Sequence, residues 1–142
     1  MIGKHPVRLD DKKRIFVPAK LREELGETFY VTLGVNCGHR CLTAYTSKDW
    51  QELNERFNAL PLSQRSGATS LIFMHAVCCT PDKQNRFSLS HFLLDYAGIQ
   101  SDAMIAGRAG QAEIWDAEEF AAFEAENMTP EKLIASLEAI GL

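Results

Sequence analysis

The chain has 142 residues, of which 46% are hydrophobic and 24% charged, and its net charge is −4. That length supports one compact domain, or two interleaved halves sharing a core, and no apolar run approaches the roughly 20 residues needed to cross a bilayer. The net charge excludes a uniformly basic nucleic-acid binder, yet the charge is polarised along the chain. Residues 1–22 carry seven Lys or Arg against Asp10 and Asp11, whereas residues 109–142 carry eight acids against Lys132 alone. Such polarity points to a charged partner at one face; the plainer reading is two solvated surfaces. Residues 1–10 hold Lys4, His5 and Arg8 but not the apolar stretch of a secretory signal. A cytosolic protein is therefore expected. Its four Cys lack a regular disulfide spacing and fit reduced, core-filling thiols.

In chain order, Val7 to Val17 reads as strand, polar turn, strand, with Ile15-Phe16-Val17 rich in strand formers. Pro18 suits the first turn of a helix, predicted over Ala19 to Leu25 and closed by Gly26. Thr28 to Leu33 is β-prone, Gly34 to Arg40 reads as a loop, and Cys41 to Tyr45 as the next strand. Ser47 is the predicted N-cap of a helix in which Trp50, Leu53 and Phe57 share a face, ending near Pro61. Leu62 to Ser70 is polar and reads as a connection between halves. Leu71 to Thr80 is almost wholly apolar; a helix is expected early in it and a strand from about His75. Asp116 with Glu119 resembles a capping box opening a helix that buries Phe120 and Phe123. Thr129-Pro130 opens a last helix with Leu133, Leu137 and Ile140 on one face.

The most informative pattern is a repeat. Asp-x-x-x-Arg occurs as Asp10 to Arg14 and again as Asp82 to Arg86, each time a polar turn running into a short apolar strand. Each is followed by a helix-like stretch ending in Gly, Ala19 to Leu25 and His91 to Ala97. The parallel continues: Val31-Thr32-Leu33-Gly34 matches Met104-Ile105-Ala106-Gly107, Leu42-Thr43-Ala44-Tyr45 matches Ala112-Glu113-Ile114-Trp115, and Asp49-Trp50 matches Glu119-Phe120. One unit has been duplicated and has diverged.

These segments carry a family resemblance over roughly Gly3 to Phe123. The chain resembles the MraZ family, built from two copies of the AbrB-like (SpoVT-AbrB) module. The family signature, Leu-Asp-x-Lys-Gly-Arg-(apolar)-x-(apolar)-Pro, is met by Leu9, Asp10, Lys12, Arg14, Ile15, Val17 and Pro18. The second copy keeps Asp82, Gln84, Arg86, Phe87 and Leu89, followed by Leu94-x-Tyr96-Ala97-Gly98 and Glu113-Ile114-Trp115. The family's Gly is replaced by Lys13 and Asn85, and its second Pro by Ser90. The Gly lies in a turn where positive φ is expected, which Asn tolerates better than Lys. Either that turn is not left-handed, or a charge toward DNA offsets modest strain. The resemblance implies an α+β fold, a double-split β-barrel from two swapped-hairpin halves with peripheral helices. The modules would span 3–60 and 75–125, with a C-terminal helix in 126–142. It implies a ring homo-oligomer, cytoplasmic and nucleoid-associated, that regulates transcription. Its partner would be double-stranded DNA bearing repeats upstream of the division and cell-wall gene cluster. It implies neither an enzyme, a cofactor nor a membrane partner.

Read from the residues, Arg14 and Arg86 are the candidates for base-edge or phosphate contact, since a guanidinium matches guanine or phosphate with two parallel donors. Lys12, Lys13, Arg8 and Lys83 are candidates for phosphate contact. Asp10 and Asp82 would repel phosphate, so each is expected to brace its turn or orient its Arg. The competing reading makes each Asp/Arg pair a structural bridge only. A zinc site is the sharpest rival: Cys37, His39 and Cys41 fall in one predicted loop, with His75, Cys78 and Cys79 later. The usual Cys-x-x-Cys spacing is missing, and Cys78 and Cys79 would face opposite ways in a strand. A Cys/His nucleophile ranks below zinc, since nothing marks an oxyanion hole. Two further alternatives keep the fold: a ring-forming interaction protein without DNA binding, and another AbrB-like regulator of antitoxin type.

Overall fold

The structure, a computed structural model, describes residues 1–142. Eight strands and six α-helices follow in the order β1 (Lys4–Arg8), β2 (Arg14–Phe16), α1 (Ala19–Leu25), β3 (Phe29–Asn36), β4 (His39–Thr46), α2 (Ser47–Ala59), α3 (Gly67–Met74), β5 (Val77–Cys79), β6 (Arg86–Ser88), α4 (His91–Ala97), β7 (Asp102–Arg108), β8 (Gln111–Asp116), α5 (Ala117–Asn127) and α6 (Pro130–Ile140). A short 3₁₀ turn at Leu62–Gln64 sits between α2 and α3. The fold is α+β, and no helix is long and apolar enough to cross a membrane.

Six strands form one antiparallel sheet in the order β1-β7-β8-β4-β3-β5, and β2 pairs with β6 in a separate ribbon. The two halves exchange strands. The first half's β1 pairs only with β7, and the second half's β5 pairs only with β3. The ribbon takes one strand from each half, with Ile15 opposite Phe87. Period-2 alternation turns Ile15 and Phe87 inward and Arg14, Phe16, Arg86 and Ser88 outward. The inward pair joins Leu21, Phe29, Val31, Leu42, Leu93 and Ile114 in one core assembled from both halves.

Helix boundaries follow local chemistry. Both α1 and α4 run over the residues their apolar spacing predicts, and Gly98 closes α4 in the left-handed conformation (φ 70°). Ser90, in place of a Pro, caps α4 by accepting from the Leu93 N–H. Thr129 and Pro130 open α6 as expected, and Asp116 caps α5 through the Glu119 N–H.

Three expectations are corrected. Residues Gly34 to Arg40 are not a loop: β3 runs to Asn36 and β4 starts at His39, joined by a two-residue turn at Cys37 (φ 50°) and Gly38 (φ 80°). Positive φ at both central residues gives the mirror-image turn that matches strand twist. Thr46, not Ser47, caps α2, its hydroxyl accepting from Asp49 N. The polar segment Leu62 to Ser70 is not a plain connection, since Ser66 caps α3 from Gly67 onward.

Gly34 and Gly107 occupy equivalent places, and both are close-approach positions. A Cβ on Gly34 would lie 2.5 Å from Thr43 Oγ1, and one on Gly107 would lie 2.5 Å from the Met1 carbonyl carbon. Residues 1–3 run along Gly107, where Gly107 N donates to Gly3 O at 2.7 Å and the Met1 ammonium donates to Ala109 O.

Candidate nucleic-acid interface

The two Asp-x-x-x-Arg turns superpose bond for bond. In the first, Asp10 N donates to Arg14 O (3.1 Å) and Lys13 N to Asp10 O (2.9 Å). In the second, Asp82 N donates to Arg86 O (2.9 Å) and Asn85 N to Asp82 O (2.9 Å). One carboxylate oxygen then collects the inward backbone N–H groups: Asp10 accepts from Lys12 N (3.0 Å) and Arg14 N (2.8 Å), Asp82 from Gln84 N (2.9 Å) and Arg86 N (3.0 Å). The other oxygen takes the arginine Nε, at 2.7 Å from Arg14 and 3.1 Å from Arg86. The Arg14 N–H, followed by the other donors and the guanidinium, holds the Asp10 carboxyl below its usual value. The Arg86 N–H does the same for Asp82. Each Asp is thus consumed by its own turn, and its charge is balanced there.

Both turns are left-handed at the position where Gly is replaced, with φ 60° at Lys13 and 61° at Asn85. The Lys13 ammonium donates to Gln100 O at 2.6 Å, so this side chain is anchored on its own protein. A left-handed L-residue costs roughly 1–2 kcal/mol relative to an unstrained backbone. We expect Lys13→Gly to be more stable than Lys13→Ala by about 1 kcal/mol in urea melts, because both lose the Gln100 bond and only Gly relieves the strain. Equal midpoints for the two variants would count against strain at this turn.

The two arginines differ in how far they are committed. Arg14 spends only Nε on Asp10, and its two Nη groups donate no hydrogen bond within the chain. Arg86 also places Nη2 3.0 Å from Asp82 Oδ2 and Nη1 3.9 Å from Asp10 Oδ2. Both stand on the outer face of the ribbon, diagonal to one another in the register. Lys12 and Lys83 are exposed at the turn tips, and Arg8, at the end of β1, lies 3.9 Å from Asp102. Arg22, which the sequence counts in the basic segment but does not mark as a site residue, adds a cation: its guanidinium lies 4.8 Å from the centre of the exposed Phe16 ring. Its place as the fourth residue of α1, with Phe16 ahead of it, was the available signal.

The Cys and His residues do not converge. Cys37 is exposed in the turn, while Cys41 is buried with its Sγ 3.8 Å from Glu113. Cys78 is exposed and Cys79 buried on the opposite face of β5. Burial pushes the Cys41 and Cys79 thiols up to about 12, which removes them as nucleophiles near neutral pH. His75 stacks on Phe92, ring centres 3.8 Å apart. His39 instead lies between two acids of α5, Nδ1 2.6 Å from Glu119 and Nε2 2.6 Å from Glu126, with Trp115 and Phe123 against its ring.

The hydrogen bonds that the ring donates to Glu126 and then to Glu119 raise the His39 pKa above its ordinary value of 6.5. The charged ring therefore stabilises the folded protein fully below about pH 6.5, and that contribution is lost as pH rises through the higher folded-state pKa. The thermal midpoint of the wild type is expected to fall from pH 6 to pH 9 more steeply than that of His39→Gln. Parallel curves for the two proteins would remove His39 as the cause.

The chain is similar to known proteins over its full length. A family model described as "MraZ protein, putative antitoxin-like" matches twice, over residues 1–71 and 72–136. Among curated proteins, the chain is 36% identical to a "Transcriptional regulator MraZ" of Caldicellulosiruptor bescii, covering 100% of this chain and 99% of the relative. A protein of the same name from Halothermothrix orenii is 31% identical, with 99% of each chain covered. One from Limosilactobacillus fermentum is 36% identical over 87% of this chain and 85% of its own length.

Proposed function

Because the chain belongs to the MraZ family, we propose that it is a sequence-specific DNA-binding transcriptional regulator that reads duplex DNA with its twin Asp-x-x-x-Arg turns. The observation that carries this is the β2–β6 ribbon, which presents Arg14 and Arg86 as diagonal neighbours on its outer face while their Asp partners are consumed internally. A two-stranded ribbon fits the major groove of B-DNA, and a guanidinium donates to two acceptors on a guanine edge. Three residues of strand span roughly 10 Å, so the two turns would reach phosphates on either side of the bases they flank. Lys12, Lys83 and Arg8 would fix the position on the backbone, with Lys13 acting mainly by holding its turn. The modules at 3–60 and 75–125 would act as paired readers, with 126–142 as an appended helix. The strand exchange between halves supports the finer reading of the fold as a double-split barrel.

Self-assembly into a ring completes the proposal. One pair of arginines gives weak binding, and several pairs held in one body on repeated DNA gain avidity without new contacts. Such a protein would work in the cytoplasm at the nucleoid, with promoter repeats upstream of division and cell-wall genes as its targets. The test is binding to DNA from upstream of its own operon at two salt concentrations, beside a scrambled duplex and an Arg14→Ala/Arg86→Ala variant of equal size in solution. Preference for the operator, steep weakening with salt, and loss in the variant are expected. Salt-insensitive or absent binding by a folded oligomer would refute the reading and leave a ring-forming interaction protein in its place.

A further inference from the structure

Helix α6 is an anomaly among the six. Every residue from 130 to 140 is exposed, and the helix seats on no other element of its own chain. An isolated helix of that length is marginal in water. Its apolar stripe, Leu133, Ile134, Leu137 and Ile140, is roughly half exposed or more along its length (48–76%). The repeat shows what such a helix does when it has a seat. α3 follows α2 as α6 follows α5. α3 lies on β3, where Thr32 Oγ1 donates to Ile72 O at 2.5 Å. The equivalent seat for α6 would lie beside Gly107, and residues 1–3 already fill it.

A second unpartnered apolar surface lies on the first half. Two clefts, of about 370 and 200 Å³, flank α3. Leu33, Val35, Leu71 and Tyr96 contribute to the first, Leu53 and Phe57 to the second. Val35 is 65% and Leu71 44% exposed. α3 itself carries no ionisable side chain. Arginines supply the charge around it: Arg56 lines the second cleft, Arg40 sits over Tyr96 and Arg65 over Phe57, while Arg108 at the first cleft is already paired with Glu113. α6 is acidic, with Glu131 and Glu138 against Lys132, whose ammonium is held by Glu126 O. Apolarity and charge on the two surfaces are complementary.

We propose that the apolar face of α6 docks into the clefts flanking α3 of a second copy of this chain. The inference rests on the self-assembly proposed above and names its contact. The two patches are different surfaces of one molecule, so the contact is heterologous. Repeated head to tail, it closes a ring or runs on as a filament. Two copies whose α6 helices merely paired with each other would stop at a dimer.

Two variants test this by size in solution, without DNA. Leu133→Glu/Leu137→Glu spoils the helix face and keeps the clefts; Val35→Glu/Leu71→Glu spoils the clefts and keeps the helix. All four positions are exposed, so near-ultraviolet circular dichroism should match the wild type. The wild type is expected to be a higher oligomer by light scattering. Each variant alone should be a monomer, and an equimolar mixture should form a one-to-one heterodimer through its single intact contact. A cleft variant that keeps the wild-type size, or a mixture that stays monomeric, overturns the inference. A wild type that is itself monomeric up to high concentration overturns the assembly reading as well, which separates the two failures.

Discussion

Arg14→Ala is expected to weaken operator binding by about 10- to 100-fold per engaged site, the range for losing one bidentate base contact, and Arg86→Ala by less. The asymmetry comes from the inventory of donors. Arg14 keeps both Nη groups free while Nε fixes the plane of the guanidinium on Asp10. Arg86 has already placed Nε and Nη2 on Asp82, with Nη1 leaning toward Asp10. It must give up part of that arrangement to contact DNA, whereas Arg14 is preoriented and unspent. Titrating labelled operator with each single variant at one salt concentration measures the difference. An Arg86→Ala loss equal to or larger than the Arg14→Ala loss would show that the second turn reads DNA at least as directly as the first.

Trp115→Ala should lower stability by about 3–5 kcal/mol, enough to unfold much of a domain with ordinary reserves. Trp115 is fully buried beneath α5, packed on Phe120 (ring centres 5.6 Å) and Phe123 (4.7 Å), with His39 beyond. Its indole N–H also donates to Glu113 Oε1 at 3.3 Å. That carboxylate is buried and further held by Asn36 and Arg108. Removing the indole therefore leaves a cavity and strips a donor from a buried charge. Trp50 offers the internal comparison: it is only half-buried, stacked on Tyr30 at 5.2 Å. Trp50→Ala should cost clearly less in the same chemical-denaturation measurement. A Trp115→Ala penalty below about 1.5 kcal/mol, smaller than a typical buried large-to-small change, would show that this cluster does not hold α5 in place.

What the sequence revealed was what local chemistry decides. The Asp-x-x-x-Arg turns were legible because one carboxylate serves donors two and four residues ahead of it. Both seven-residue helices were legible because each has a clear closing Gly. The replaced glycines posed a choice that only geometry could make, and both turns are left-handed. Gly34 misled because a Gly in a strand looks like a turn signal, whereas here it lets Thr43 approach from the next strand. The hairpin loop that invited zinc closes with a two-residue turn, and His39 and Cys41, though two residues apart on one face of β4, meet different partners, Glu119 and Glu113. Those partners lie 72 to 87 residues away in sequence, where no short-range pattern operates. Trp50 and Phe57 were read as packing residues. They do pack, on Phe73 of α3.

The exchange of strands has a consequence for how the chain is made. β1 leaves the ribosome well before its partner β7, with Lys4 opposite Ala106. At about 5–20 residues per second, roughly 5–20 s of synthesis pass before that partner exists. During this interval β1 is a bare edge, able to pair with any other nascent chain. Its solvent side carries Lys4, Pro6 and Arg8, three of only five residues. Charge and Pro are the devices by which unpaired strands avoid one another. The same basic character that suits this end of the molecule to an anionic partner thus also guards it while it waits.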